Sequence, residues 1–156
     1  MSFTVNIDLG YEFEVKAPAK QVFEVLADVP TSASFYPGVE KLTDLGGGAY
    51  RWDMEKIGMG QVTLQTIYAS KYVANKAKKT VTWTPVAGIG NTLVSGDWKI
   101  TDKKKSTHVV LKVQAELTIA LPALTKMVAA PVIEAEFERL TEQYLDNLVA
   151  RFGGEV

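Results

Sequence analysis

The chain of 156 residues contains no cysteine and a single histidine, His108. The absence of cysteine excludes a disulfide framework, a thiolate zinc site, a thiol nucleophile and a dithiol redox couple. One histidine excludes a multi-histidine metal centre, and any hydrolytic triad would have to use His108 itself. Charge of one sign is also lacking: 17 Lys+Arg stand against 18 Asp+Glu, a formal charge of -1, so the broad basic footprint of a nucleic-acid binder is missing. No apolar run is long enough to read as a membrane span. The most membrane-like stretch, Leu117 to Phe137, is interrupted by Pro122, Lys126, Pro131, Glu134 and Glu136. The N-terminus alternates apolar and polar residues without the continuous apolar core of a signal peptide, so the expected compartment is the cytoplasm. Repeats, low-complexity tracts and Gly/Ser/Pro linkers are absent, and a single domain over residues 1–156 follows.

What is present is hydrophobic periodicity. Phe3, Val5, Ile7, Leu9, Tyr11, Phe13 and Val15 alternate with other residues and predict a long first strand, with a possible irregularity at Gly10. Pro18 suits a first helical turn, and Val22, Phe23, Val25 and Leu26 then form one helical face that ends at Asp28-Val29-Pro30. Thr31 or Ser32 is the expected cap of a second short helix running to Phe35 and stopped by Pro37-Gly38. From Val39 to Leu121 the period is two. Five interruptions, among them Gly46-Gly47-Gly48, Gly58-Met59-Gly60 and Pro85 to Asn91, divide this stretch into six strands. Beyond Pro122 the spacing turns helical, with Ile133, Phe137, Leu140, Tyr144 and Leu148 on one stripe. Because proline fits poorly inside a helix, the expectation is a short turn over 123–130, a long helix from about Pro131 to Phe152, and a stop at Gly153-Gly154. Strands followed by a helix, with one apolar face throughout, define an α+β fold of an antiparallel sheet covered by helix.

The segment Ala17-Pro18-Ala19-Lys20-Gln21-Val22-Phe23-Glu24-Val25-Leu26-Ala27-Asp28, followed by Phe35-Tyr36-Pro37-Gly38-Val39, resembles the opening of the START-like superfamily, which includes Bet v 1 allergens and polyketide cyclase/lipid-transport proteins. The element order matches along almost the whole chain. Within that superfamily, the Pro37-Gly38-Val39 segment and the Gly88-Ile89-Gly90-Asn91 loop look most like the carbon monoxide dehydrogenase G branch. The resemblance implies a helix-grip fold: a curved seven-stranded antiparallel sheet wrapped around the C-terminal helix, two short helices between strands 1 and 2, and a hydrophobic cavity between sheet and helix.

Strand parity and the helical stripe turn Tyr50, Trp52, Met54, Leu64, Thr66, Tyr68, Trp83, Trp98, Val113, Ile133, Phe137 and Tyr144 inward. Two readings stand: these residues fill the core, or they line a ligand cavity in which the tyrosine hydroxyls, indole N–H groups and Thr66 are the polar handles. Met59, Ile89 and Met127, from three loops at one end, are the expected cavity mouth. That end could take in a greasy ligand or rest against a membrane or a protein complex. Parity turns His108 outward beside Lys103-Lys104-Lys105, and Asp53, Asp97, Glu134, Glu136, Glu138 and Glu142 fall off the inner wall, so no acid–base pair emerges. Gly46-Gly47-Gly48 joins two strands and lacks the helix and Lys-Ser/Thr of a phosphate loop. The resulting expectation is a domain that binds a hydrophobic small molecule such as a lipid, isoprenoid or aromatic polyketide-like compound, with transport of that molecule as an extension of binding, and with no cofactor. The alternatives are a cyclase/dehydratase-type enzyme and an accessory protein docking on a membrane or larger enzyme complex.

Overall fold

The computed structural model describes residues 2–59 and 62–156, with the side chains of Met59 and Val62 also outside the described set. The expectation that Met59 lies at a cavity mouth therefore falls outside the described residues. β1 (Phe3–Val15) is followed by α1 (Ala19–Ala27) and α2 (Val29–Ala33). Then come β2 (Val39–Gly46), β3 (Ala49–Met54), β4 (Ile57–Met59), β5 (Val62–Leu64), β6 (Ile67–Asn75), β7 (Thr80–Pro85), β8 (Thr92–Asp102) and β9 (Thr107–Ile119). A 3-10 turn at Ala123–Thr125 leads into α3 (Lys126–Arg151). Seven strands form one antiparallel sheet in the order β1-β9-β8-β7-β6-β3-β2, and α3 packs on its concave side, the helix-grip arrangement.

Alternation of side chains explains the sheet. Phe3, Val5, Ile7 and Leu9 of β1 and Val109, Leu111, Ala115, Leu117 and Ile119 of β9 are buried, and β1 and β9 pair in continuous register from Phe3↔Ile119 to Val15↔Thr107. Gly10 introduces no irregularity; it pairs with Lys112 in that register. Trp83 of β7 lies directly over Gly96 of β8. A Cβ at Gly96 would stand 2.6 Å from the Trp83 ring and 2.3 Å from the Lys112 carbonyl oxygen, so the missing side chain is what admits the indole.

Three boundaries depart from the periodic expectation. The strand through Tyr50, Trp52 and Met54 stops at Met54 instead of running on, because the Met54 N–H donates to the Thr66 carbonyl at 2.9 Å and its own carbonyl accepts from the Gln65 side chain at 2.9 Å. β4 and β5 consequently pair only with each other, outside the main sheet. The Gly88–Asn91 loop clamps this step: Asn91 accepts from the Ile67 N–H at 3.0 Å and donates to the Gln65 carbonyl at 2.8 Å. Gly90, at φ +70°, sits so close that a Cβ would be 2.0 Å from the Ile67 carbonyl oxygen.

The second departure is α2, which is capped by Asp28, whose carboxylate accepts from the Thr31 N–H, and which carries Pro30 in its first turn. The third is α3, which begins at Lys126 and contains Pro131. Proline removes the N–H that would bond the Met127 carbonyl, a loss the helix tolerates where its surface is exposed, as it is at Met127, 84% exposed. The helix ends where expected: Gly153 and Gly154 take positive φ, and the Phe152 and Gly154 carbonyls accept from the N–H groups of Ala17 and Lys16. No helix among the described residues is long and apolar enough to cross a membrane.

Candidate functional site: an aromatic chamber beneath the long helix

Packing the sheet against α1, α2 and α3 leaves an inner chamber of about 70 Å³. The sheet contributes Trp52, Tyr68, Tyr72, Val81, Trp83, Val94, Trp98, Leu111 and Val113. The helices and the turn after α2 close it with Leu26, Val29, Ser32, Tyr36, Phe137, Thr141 and Tyr144. The volume is well below the roughly 300–1,000 Å³ of typical small-molecule pockets. In this conformation the aromatic side chains occupy most of the space themselves.

Those rings form an unbroken train. Tyr50 and Tyr72 lie 6.0 Å apart between centroids, Tyr72 and Trp83 5.6 Å, Trp83 and Trp98 6.5 Å, and Trp98 and Tyr144 6.1 Å. The series continues through Tyr144–Tyr36 at 4.9 Å and Tyr36–Trp52 at 6.2 Å, and ends with Trp52 stacked on Tyr68 at 5.7 Å and 12°. Edge and offset contacts of this kind contribute about 0.5–1.5 kcal/mol each beyond burial.

The polar groups of the chamber are few and uncharged. The hydroxyls of Ser32 and Tyr144 are hydrogen-bonded to one another, and those of Tyr36 and Thr141 meet at 3.3 Å. The indole Nε1 of Trp52 is buried and has no hydrogen-bond partner among the described residues, which leaves an N–H donor unsatisfied. Burial drives the tyrosine pKa values upward. Tyr36 is pushed up to about 12, with the Thr141 hydrogen bond partly opposing the shift. Tyr144 rises further, opposed in part by Ser32. Tyr72 does so as well, opposed by the Trp52 indole, whose N–H is near enough to favour the tyrosinate without meeting hydrogen-bond geometry. Burial also holds Tyr68 well above its ordinary value. At neutral pH all four are therefore protonated. Among the described residues, no Asp, Glu, His, Lys or Arg lines the chamber.

A second cavity of about 190 Å³ adjoins the first on the side of β3 and the middle of α3. It is bounded by Tyr36, Pro37, Gly38, Met54, Glu55, Lys56, Ile57, Thr66 and, on α3, Glu136, Phe137, Arg139 and Leu140. Arg139 forms a charge-assisted hydrogen bond to Glu136, holding that carboxyl below its ordinary range. Tyr36 and Phe137 belong to both cavities. At the other end of the molecule, Lys20, Phe23, Glu24, Ala27, Asp28, Lys76 and Lys79 border a larger cleft of about 540 Å³, open to solvent and flanked by charges of both signs.

The residues assigned inward by parity divide among these environments. Trp52, Tyr68, Trp83, Trp98, Val113, Phe137 and Tyr144 line the inner chamber, whereas Met54 and Thr66 border the outer cavity. Tyr50 is half-buried and reaches the train only through Tyr72. Ile133 is buried in the main core, and Leu64, in the separate β4–β5 hairpin, packs at its margin. Neither Ile89 nor Met127 borders any of these three cavities; the outer cavity, bounded also by Gly38, Lys56 and Leu140, shares Tyr36 and Phe137 with the chamber. His108 faces outward from β9, with Nε2 3.6 Å from a Glu12 carboxylate oxygen. The Arg51–Asp53 pair likewise lies off the chamber. No group of three or more His, Cys, Asp or Glu among the described residues could hold a metal ion.

Sequence reasoning missed Ser32, Tyr36, Tyr72 and Thr141. Two of them carried a signal: Tyr72 continues the parity of Tyr68, and Thr141 lies one helical turn beyond Phe137.

Comparison with known proteins places this architecture. Residues 7–153 match the family model described as polyketide cyclase/dehydrase and lipid transport. None of the curated proteins matches the sequence at a significant level. Among solved structures, the Zhui aromatase/cyclase from Streptomyces sp. R1128 superposes with a TM-score of 0.69 at 20% identity, covering 95% of this chain and 94% of that one. A START superfamily protein from Mycobacterium smegmatis gives 0.68 at 14% identity, with 94% and 97% covered. A major latex-like protein from Panax ginseng gives 0.61 at 12%, with 95% and 98% covered. At these identities the likeness is one of fold.

Proposed function

Because the chain belongs to the polyketide cyclase/dehydrase and lipid transport family, we propose that it binds a neutral, mainly apolar small molecule between the sheet and α3, and that the ligand carries a hydrogen-bond acceptor such as a carbonyl oxygen. The observation that carries this reading is the buried Nε1–H of Trp52, which lies near the Tyr72 hydroxyl without meeting hydrogen-bond geometry, in a chamber lined by no charged side chain among the described residues. An unsatisfied donor costs about 1–3 kcal/mol, and an acceptor on the ligand recovers that cost. A carboxylate would surrender its hydration without meeting a cation, so a neutral ligand is favoured. Affinity would come mainly from apolar burial at roughly 25 cal/mol per Å², with the polar contact setting orientation.

Entry requires the chamber to grow. Displacing Phe137 and Tyr36 would join the inner and outer cavities, and the train of rings lets that displacement propagate without opening a void. Native mass spectrometry of the protein purified from its own host, followed by extraction of anything retained, tests the proposal: a neutral compound in stoichiometric amount is expected, and an extracted carboxylate or phosphate ester would overturn it.

A cyclase-type enzyme is the second reading, motivated by the family and by the Zhui aromatase/cyclase among the structural neighbours. Its chemistry would rest on positioning by the paired hydroxyls Ser32–Tyr144 and Tyr36–Thr141, because tyrosines with raised pKa values are poor general bases at neutral pH.

A further inference from the structure

The 3-10 turn and the first two turns of α3 hold an unusual surface. Leu124 is 87% exposed, Met127 84%, Val128 72% and Val132 45%, a concentration of large exposed apolar side chains unmatched elsewhere among the described residues. Leu124, Val128 and Val132 follow one another at intervals of four and Met127 lies beside them, so they form a single ridge. The opposite side of the same turns is satisfied, with Ala129 and Ile133 buried in the core. The ridge borders none of the cavities, so a chamber ligand does not explain it. From Leu117 through Ile133 the only charged side chain is Lys126, and acidic residues are absent from this stretch.

We propose that this ridge docks on a lipid bilayer whose surface carries anionic headgroups. Four side chains present only a few hundred Å², short of the roughly 800 Å² per partner that a stable dimer buries, which argues against a second copy of this chain as the occupant. The charge pattern argues for lipid: Lys126, with no acid in the same stretch of chain to neutralise it, sits at the ridge and can extend its ammonium to phosphate groups while its stem stays among the apolar side chains. Insertion is shallow. Pro131 leaves the Met127 carbonyl without a helical donor, and that oxygen must remain where water reaches it, at the headgroup boundary and not in the hydrocarbon. Docking there would place the helix that carries Phe137 against the membrane, whatever occupies the chamber.

Flotation with extruded vesicles of phosphatidylcholine and phosphatidylglycerol at 3:1 tests the proposal on the full chain. The unmodified protein is expected to float with the vesicles, and Leu124→Ser with Met127→Ser to lower the partition coefficient tenfold or more. Lys126→Glu is expected to weaken binding to the mixed vesicles while leaving weak binding to pure phosphatidylcholine unchanged. Leu124→Trp, which keeps an apolar side chain at an exposed position, should show a blue-shifted emission on adding vesicles, a readout that does not depend on the serine variant folding. Failure of the unmodified protein to float at millimolar lipid would overturn the proposal, as would equal flotation of a folded serine variant or an unshifted emission from the Leu124→Trp variant. A dimer in sedimentation velocity that the serine substitutions convert to monomer would instead identify the ridge as an interface between copies and equally overturn it.

Discussion

Among the described residues, Tyr36, just beyond α2, and Phe137, in the middle of α3, border both the 70 Å³ chamber and the 190 Å³ cavity beside it, so their rings stand between these spaces. Removing one ring should open the partition. Phe137→Ala is expected to speed uptake of a neutral apolar dye and raise its affinity, measured by stopped-flow and equilibrium fluorescence. Because Phe137 is only half-buried, stability should fall by less than the roughly 3–5 kcal/mol of a fully buried Phe→Ala change. Unchanged uptake would place the entrance elsewhere.

Trp52→Phe removes the unpartnered Nε1–H while keeping an aromatic ring over Tyr68. Deleting an unsatisfied donor relieves a penalty but leaves a smaller ring, so stability should change by less than about 1.5 kcal/mol in urea denaturation. Affinity for an aryl ketone should fall by about 0.5–1.5 kcal/mol, whereas affinity for the matching hydrocarbon should be nearly unaffected. An equal loss for both ligands would show that the indole contributes bulk alone.

Alkaline pH should unfold the protein in a defined direction. Burial raises the pKa values of Tyr36, Tyr68, Tyr72 and Tyr144 above the ordinary value near 10, so the folded protein holds these protons more tightly than the unfolded chain. Their contribution to stability is intact below pH 10 and is lost as pH rises through the Tyr36 value of about 12 and the likewise raised values of the others. Absorbance near 295 nm should therefore report the more exposed Tyr11 and Tyr50 first, with the remaining tyrosinates appearing together with loss of near-UV circular dichroism. Ionisation of all six near pH 10 with the fold retained would show that the chamber is wet.

Gly96→Ala should be among the most destabilising single-methyl changes in the sheet. Its Cβ would meet the Lys112 carbonyl oxygen at 2.3 Å and the Trp83 ring at 2.6 Å, neither of which can yield without moving β9 or the train of rings. A loss of about 1–3 kcal/mol or more is expected in chemical denaturation, with altered tryptophan emission. A near-neutral change would mean that Trp83 has another rotamer available.

Much of this architecture was legible because the physics that forms it is periodic. Val5, Ile7 and Leu9 in β1, and Val109 and Leu111 in β9, announce a half-buried sheet, and Phe137, Tyr144 and Leu148 announce the helix that covers it. The break after Met54 was not legible, because the bonds that end β3 come from Gln65 and Thr66, eleven and twelve residues away, and leave no mark on local alternation. Pro131 misled for the opposite reason: a strong local rule gives way on an exposed helix surface, such as that around Met127. Ser32 is a chamber residue only because its short helix folds against Tyr144, 112 residues later, a contact that periodicity cannot carry. Nor does parity give volume. It identified inward aromatics but not that they nearly fill the space they line.

Binding of a neutral acceptor ligand is tested most directly at the Trp52 indole, observed by ¹⁵N-edited NMR while a neutral aryl ketone is titrated in. Trp52, Trp83 and Trp98 contribute three indole N–H signals, and Trp52→Phe assigns the first. A saturable downfield shift of the Trp52 signal is expected as its N–H gains an acceptor of good geometry, with smaller movements of the other two and no such shift from the corresponding carboxylate. Indole signals that stay fixed at millimolar ketone, or a carboxylate that shifts Trp52 as strongly, would contradict it.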